Sequence, residues 1–170
     1  TAAQPNPGHF ALAKLEKLIP KLTLITQNVD SLHQRAGSVS VIELHGNISR
    51  IICSHERKVI DQWVDTGEIP RCPRCGANLR PDVVWFGESL PSEALYAAFA
   101  AARDCDIFLS VGTSALVQPA ASLPLAAIEQ KITTVEVNLD STPLTPYVDF
   151  HLPGPSGQVL PHLVTILVDG

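Results

Sequence analysis

The stretch TQNVDSLHQRAGSVSVIELHG, residues 26–46, follows directly on a short apolar run and decides the fold. The apolar run predicts a buried strand, and the polar residues Gln27, Asn28 and Asp30 then lie where that strand ends. Open α/β sheets bind their ligands at this edge. Amides and a carboxylate suit a polyol such as ribose, and a histidine such as His45 exchanges protons near neutral pH. We interpret this stretch as part of a ligand site with His45 as its general base, the alternative being a histidine packed at a strand end.

The chain has 170 residues, enough for one ordinary domain with a buried core. Its 17 Asp and Glu outnumber its 12 Lys and Arg and no basic cluster stands out, so we expect no direct binding to nucleic acid. No apolar run reaches the ~18 residues that a membrane span needs. The first residues also lack the basic-then-apolar order of a signal peptide. These features predict a cytoplasmic protein without a membrane partner.

Apolar residues along the chain alternate between helical and strand-like spacing. Strands are expected at 22–25, 41–44, 83–86, 107–111 and 133–137, and helices at 8–19, 31–36, 92–103, 118–130 and 157–168. Strands and helices that alternate in this way predict an α/β fold with a Rossmann-type, mostly parallel, doubly wound sheet. The continuous apolar run at 107–111 is typical of a strand in the middle of such a sheet.

Residues 47–81 differ in character from the rest of the chain. Strand-like residues at 50–52 lead into a polar stretch and then into a segment rich in proline, cysteine and glycine. We interpret this segment as a small cysteine-bearing module, similar to a zinc ribbon, that is inserted into a main domain. The main domain then comprises residues 1–46 and 82–170.

The four cysteines suit a metal site better than a set of disulfides. Cys72 and Cys75 have the C-x2-C spacing of half a structural zinc site, and Cys53 opens the other half. Position 56, where a second cysteine of that half would be expected, is a glutamate. Either Glu56 or His55 could supply a fourth ligand, and the alternative is a remnant that binds no metal.

Two further strands are expected to end in polar clusters, GTS at 112–114 and NLD at 138–140. Each cluster alone is weak evidence, because such residues commonly cap strand ends. Parallel strands bring these ends to one edge, so the three clusters together would line one crevice, the expected site for a nucleotide. The sequence contains no G-x-G-x-x-G motif and no P-loop, so a dinucleotide site here would lack a glycine-rich phosphate loop of its own.

With TQNVDSLHQRAG, ELHG, CPRCG, RPDVVWFGE, VGTS and VNLD in this order, the chain resembles the sirtuins, the NAD-dependent protein-lysine deacylases. The resemblance runs from about residue 5 to 168 and is greatest to the bacterial class III members. It implies an enzyme that uses NAD to remove an acyl group from protein lysine, giving nicotinamide, O-acyl-ADP-ribose and free lysine. Family members also carry an upstream G-A-G-x-S loop and G-I-P-x-F-R segment, which this sequence does not include.

The resemblance also implies roles for individual residues. His45 matches the catalytic histidine, which accepts a proton through the ribose hydroxyls. The implied NAD contacts are Gln27, Asn28, Val29, Asp30, Gly112, Thr113, Ser114, Asn138, Leu139, Asp140 and Ser156. The implied contacts to an acyl-lysine protein or peptide are Val84, Trp85, Phe86 and Gly87, and the candidate zinc ligands are Cys53, Cys72 and Cys75.

Two other functions stay open at this point. Because the phosphate loop is absent, the chain could be a binding or structural unit without catalytic activity. It could also be an NAD-dependent ADP-ribosyltransferase that shares the pocket. Analysis of the products separates all three functions.

Overall fold

The computed structural model describes residues 3–64 and 67–169. The helices are α1 (Pro7–Leu18), α2 (Leu32–Ala36), α3 (Ser92–Arg103), α4 (Leu123–Glu129) and α5 (Ser156–Asp169). The strands are β1 (Leu24–Thr26), β2 (Val41–Glu43), β3 (Gly46–Cys53), β4 (Leu79–Val83), β5 (Ile107–Val111), β6 (Thr133–Asn138) and β7 (Phe150–Pro153). None of these helices is long and apolar enough to cross a membrane.

The strands form parallel and antiparallel pairs in three sheets. β1 pairs with β2 in parallel, β5, β6 and β7 form a parallel sheet in that order, and β3 pairs with β4 antiparallel. The predicted α/β class with mostly parallel strands is confirmed. The prediction that 107–111 lies in the middle of a sheet is wrong for the described residues, since β5 pairs with β6 alone and Ile107 is 56% exposed. A continuous apolar run indicates that both faces of a strand are buried. It does not indicate whether a neighbouring strand pairs with each of its two edges.

Helices cover both faces of the β5–β7 sheet. Neighbouring residues of β5 face opposite ways, as in any strand. Phe108 packs against a cluster that includes Leu44 and helices α3 and α4, whereas Leu109 packs with α1 and α5 around Val137. Phe108 also shares its cluster with Ile25 of β1, so one core joins the two parallel sheets. This arrangement is the predicted doubly wound one.

The cysteine-bearing segment has a small core of its own, formed by Cys53, Ile60, Cys72 and Leu79. The β3–β4 pair leads into and out of this core. The domain boundary at 47–81 stays a prediction, although β3 begins at Gly46 and β4 ends at Val83, close to it.

Two strand assignments differ from the sequence predictions. The strand expected at 83–86 ends at Val83. The Val84 N–H still reaches the carbonyl of His45, the residue before β3, but the Trp85 N–H bonds to a glutamate side chain instead of continuing the ladder. β7 was not predicted, since its four residues, FHLP, end in a proline that offers no N–H to a sheet. The helix expected at 118–130 is divided into a 3-10 turn at 120–122 and α4.

Candidate active site

His45 lies just beyond β2, at the carboxyl edge of the β1–β2 sheet. The N–H of Leu44 donates to the Thr26 carbonyl (3.0 Å) and so prolongs the pairing of these strands to the residue before His45. His45 Nδ1 lies 3.0 Å from the carbonyl oxygen of Gln27. A carbonyl only accepts hydrogen bonds, so Nδ1 carries the hydrogen and Nε2 has the lone pair in the neutral ring. The ring is partly exposed, and Nε2 is therefore available as a proton acceptor.

Gly46 allows β4 to run directly beside His45. Its φ is +79°, and a Cβ at this position would lie 2.1 Å from the Asp82 carbonyl oxygen. Only glycine satisfies both conditions. As a result the N–H of Val84 reaches the His45 carbonyl at 3.0 Å, which brings the predicted substrate strand next to the predicted base.

The three polar clusters meet at Thr113. Gln27 Nε2 donates to Thr113 Oγ1 (3.3 Å), and Asn138 Nδ2 donates to the Thr113 carbonyl (2.8 Å). The same hydroxyl accepts from the Ala115 N–H (3.3 Å), which fixes the turn after β5. The polar clusters that were expected to share one edge are therefore brought together by hydrogen bonds, and the roles of their residues in binding stay predictions.

Several other predicted residues are not bonded to this arrangement. The side chains of Asn28, Ser114, Asp140 and Ser156 make no hydrogen bond to Thr113 among residues 3–64 and 67–169. Asp30 lies just before Ser31, the N-cap residue of α2, and its Oδ1 accepts from the Leu32 N–H (2.9 Å). The Val29 carbonyl accepts from Ile48 (2.9 Å), and Leu139 is 66% exposed. These positions leave Asn28, Ser114 and Asp140 open to a ligand.

A charged network behind His45 joins the elements of the site. Arg50 binds Glu43 Oε2 (2.5 Å) with Nη1 and Asp82 Oδ2 (2.8 Å) with Nη2. Asn47 Nδ2 donates to Glu43 Oε1 and to Ser31 Oγ, both at 2.7 Å. The network therefore connects β2, β3, β4 and the loop before α2. Sequence reasoning missed it, because its members lie on different elements and form no motif.

A buried carboxylate supports the loop after β6. Glu136 is fully buried and accepts hydrogen bonds from the hydroxyls of Thr142 and Thr145, each 2.5 Å long. The Gly154 N–H donates to the Asn138 carbonyl (2.8 Å), so the end of β7 fixes the start of the same loop. The predicted adenosine contacts at 138–140 thus lie on a braced loop.

The three candidate metal ligands come together in the cysteine-bearing segment. The Sγ atoms of Cys53, Cys72 and Cys75 all lie within 4.8 Å of one another, and those of Cys53 and Cys75 are 3.4 Å apart. Burial by itself would raise the pKa of the Cys72 thiol, but the backbone N–H groups of Cys75 and Arg74 outweigh it and lower that pKa to about 7. Sulfurs around a tetrahedral zinc ion are about 3.8 Å apart, so this donor set fits zinc.

The Sir2 family model matches residues 1–119, well over half of the chain. The chain belongs to the Sir2 family. This Sir2 chain is 50% identical over 169 residues to an NAD-dependent protein deacylase of Pyrococcus furiosus, covering 95% of this chain and 68% of that protein. It is also 51% identical over 153 residues to an NAD-dependent protein deacylase of Aquifex aeolicus. That match covers 88% of this chain and 63% of the Aquifex protein.

Solved structures of Sir2 proteins agree with the fold. A Sir2 homologue in complex with NAD superposes with a TM-score of 0.91 at 44% identity, covering 99% of this chain and 66% of that one. A Sir2 protein bound to an acetylated peptide superposes with a TM-score of 0.89 at 33% identity. The superposition covers 99% of this chain and 73% of that one. The resemblance found in the sequence is therefore confirmed at the level of the family.

Within residues 3–64 and 67–169 of this Sir2 chain, no fourth side chain joins the three cysteines. Neither His55 nor Glu56 presents a ligand atom within the cysteine group of the described structure. The carboxylate of Glu56 pairs with Arg74 Nε (3.2 Å), and its N–H donates to Cys53 Sγ (3.3 Å). In the part of the chain that the structure describes, three thiolates are the protein donors that would hold zinc, and zinc would stabilise the segment around them.

Removing one thiolate tests the metal site. We expect the purified Sir2 chain to contain about one equivalent of zinc, and Cys72→Ser to lose it and to lower Tm by about 5 °C or more. Cys105→Ser is the matched control, because this thiol faces the Ala102 carbonyl outside the cluster. Metal analysis by mass spectrometry and thermal melting provide the measurements. Less than about a tenth of an equivalent in the unaltered protein would support the metal-free interpretation.

Proposed function

We propose that this chain is an NAD-dependent protein-lysine deacylase whose general base is His45. The observation that carries the proposal is the position of this ring. Its Nδ1 is fixed to the Gln27 carbonyl, its Nε2 is available, and it lies between the Thr113 crevice and the exposed segment that begins at Val84. The deacylase relatives and the peptide-bound and NAD-bound Sir2 structures support the same proposal.

The residues of the crevice suit the reaction. When bound, NAD supplies the ribose carbon to which the acyl oxygen becomes attached as nicotinamide leaves. Positive charge develops at that carbon, so the neutral amides of Gln27 and Asn28 and the carboxylate of Asp30 stabilise it without adding a strong nucleophile. His45 Nε2 accepts the proton that a ribose hydroxyl releases.

The crevice is also preorganised for the rest of the dinucleotide. The turn at 112–115 is braced by Gln27, Asn138 and its own Thr113 hydroxyl, so little ordering is needed when a ligand binds. We propose that Gly112, Thr113 and Ser114 contact the phosphates and the adenine ribose. Residues 138–140, with Ser156, contact the adenosine, and 84–87 bind the acyl-lysine peptide.

Product analysis tests the function. The protein is incubated with NAD and an acetyl-lysine peptide, and nicotinamide and peptide mass are followed together. We expect one nicotinamide released for each acetyl group lost, with no product when NAD is left out. A protein-bound ADP-ribose mass without loss of the acetyl group would indicate an ADP-ribosyltransferase instead. A folded protein that neither consumes nor binds NAD in calorimetry would contradict the proposal and favour a binding unit.

A further inference from the structure

Residues 84–88, here called the ledge, run along the site beside His45. The Val84 N–H donates to the His45 carbonyl (3.0 Å), so one end of the ledge is attached to the base-bearing turn. Trp85 is 60% exposed and Phe86 is fully exposed. These large apolar side chains are not buried, so their packing does not determine the shape of the ledge. Polar contacts must therefore determine it.

Arg80 and Glu88 supply these polar contacts. Arg80 Nη1 and Nη2 bind Glu88 Oε1 (2.6 Å) and Oε2 (2.7 Å), which is the parallel, two-bond geometry of a strong arginine–carboxylate pair. The side chains are 19% and 33% exposed, so water screens this pair less than an ordinary surface ion pair. Arg80 Nη2 also donates to the Val83 carbonyl (2.8 Å), and its guanidinium lies 5.5 Å from the Trp85 ring centre.

The same carboxylate closes the ledge into a turn. Glu88 Oε2 accepts from the Trp85 N–H (3.1 Å), and the Glu88 N–H donates to the Trp85 carbonyl (2.9 Å). Hydrogen bonds from Arg80 and then from the Trp85 N–H lower the pKa of Glu88 to about 2, so the carboxylate stays charged at neutral pH. In contrast, the backbone of Phe86 and Gly87 makes no hydrogen bond to the described residues.

We propose that Arg80 and Glu88 are positioning residues for the substrate peptide, an inference that rests on the proposed deacylase function. The pair occupies the backbone groups of Val83 and Trp85, and thereby leaves those of Phe86 and Gly87 as the main-chain partners of an extended peptide. The pair shapes the ledge without touching the reacting atoms. Its loss should therefore weaken peptide recognition and leave the chemical step and NAD binding nearly unchanged.

Steady-state kinetics with an acetyl-lysine peptide test this inference. Glu88→Gln keeps the size of the side chain but removes the charge, and we expect KM for the peptide to rise about tenfold with kcat within about twofold. Arg80→Lys keeps the charge but loses the two-bond geometry, so its KM should lie between those of the unaltered protein and Glu88→Gln. Calorimetry with NAD should give the same Kd for all three proteins.

Asp104→Asn is the matched control, because it removes a carboxylate whose ion pair with Lys21 is 73–80% exposed and remote from the ledge. This variant should keep the KM of the unaltered protein, and melting curves show whether each variant is folded. An unchanged peptide KM in both Glu88→Gln and Arg80→Lys, or a fall in kcat alone, would overturn the inference and leave the proposed function intact. Absence of deacylation by the unaltered protein would overturn both.

Discussion

Replacing His45 with asparagine is expected to slow deacylation about 10³-fold, the largest effect on activity that we expect from a single residue. Asparagine can still donate an N–H toward the Gln27 carbonyl, which His45 Nδ1 contacts at 3.0 Å. It has no nitrogen that accepts a proton at neutral pH. The substitution therefore keeps the hydrogen bond to the Gln27 carbonyl and removes the general base. The loss should therefore appear in kcat, with little change in the KM values for NAD and peptide.

The control is His162→Asn, which makes the same exchange at an exposed position on α5. We expect this variant to deacylate at the rate of the unaltered protein. Rapid-quench measurement of peptide deacylation separates the chemical step from product release, and calorimetry with NAD checks that the crevice still binds. If His45→Asn retained more than about half of the rate, the assignment of His45 as the base would be wrong.

Most helices and the strands β5 and β6 follow from local sequence. α1, α3 and α5 match their predicted ranges closely because apolar residues recur at helical spacing, and α1 also has a capping residue, Asn6, before a proline. β5 and β6 match because each is a short run bounded by turn residues. The edge position of β5 could not be predicted, since pairing depends on which strand lies beside it.

The crevice was predictable because strand ends share an edge in a parallel sheet. That rule brings together Thr113 and Asn138, which follow β5 and β6 and are 25 positions apart. Gln27 follows β1 in the other parallel sheet, and the core that joins the two sheets places it beside Thr113. No such rule predicts which of the charged groups around them form ion pairs. Arg50 could pair with any nearby acid, and only the register of β3 and β4 brings it to Asp82.

The ledge is a second place where side-chain contacts that the sequence does not reveal determine the structure. Its exposed aromatic residues are visible in the sequence as VVWFGE, but the continuous apolar, β-prone run predicts a strand through Phe86. The pair of Arg80 with Glu88 competes with the ladder for the Val83 carbonyl and the Trp85 N–H. Side-chain groups that take backbone partners in this way end the strand at Val83, before the turn that Gly87 marks in the sequence.

Replacing Gly46 with alanine is expected to lower the free energy of unfolding by about 3 kcal/mol or more and to abolish most of the activity. A Cβ at this position would lie 2.1 Å from the Asp82 carbonyl oxygen, a distance that backbone atoms cannot tolerate. β4 would have to move away from β3, which separates Arg50 from Asp82 and pulls the Val84 N–H from the His45 carbonyl. The substitution therefore affects stability and the base through one displacement.

Gly37→Ala separates the clash from the cost of a left-handed backbone. Gly37 has a φ of +105°, but the nearest atom to a Cβ there is the Ala13 Cβ at 3.9 Å, an ordinary contact. We expect this variant to lose only about 1 kcal/mol, so the difference between the two variants in urea unfolding measures what the close approach of β4 requires. Equal losses of unfolding free energy for Gly46→Ala and Gly37→Ala would mean that β4 can move away from Gly46 without a further loss of stability. In that case the fixed contact between His45 and the ledge would not be needed for the fold, and the activity of Gly46→Ala would show whether catalysis needs it.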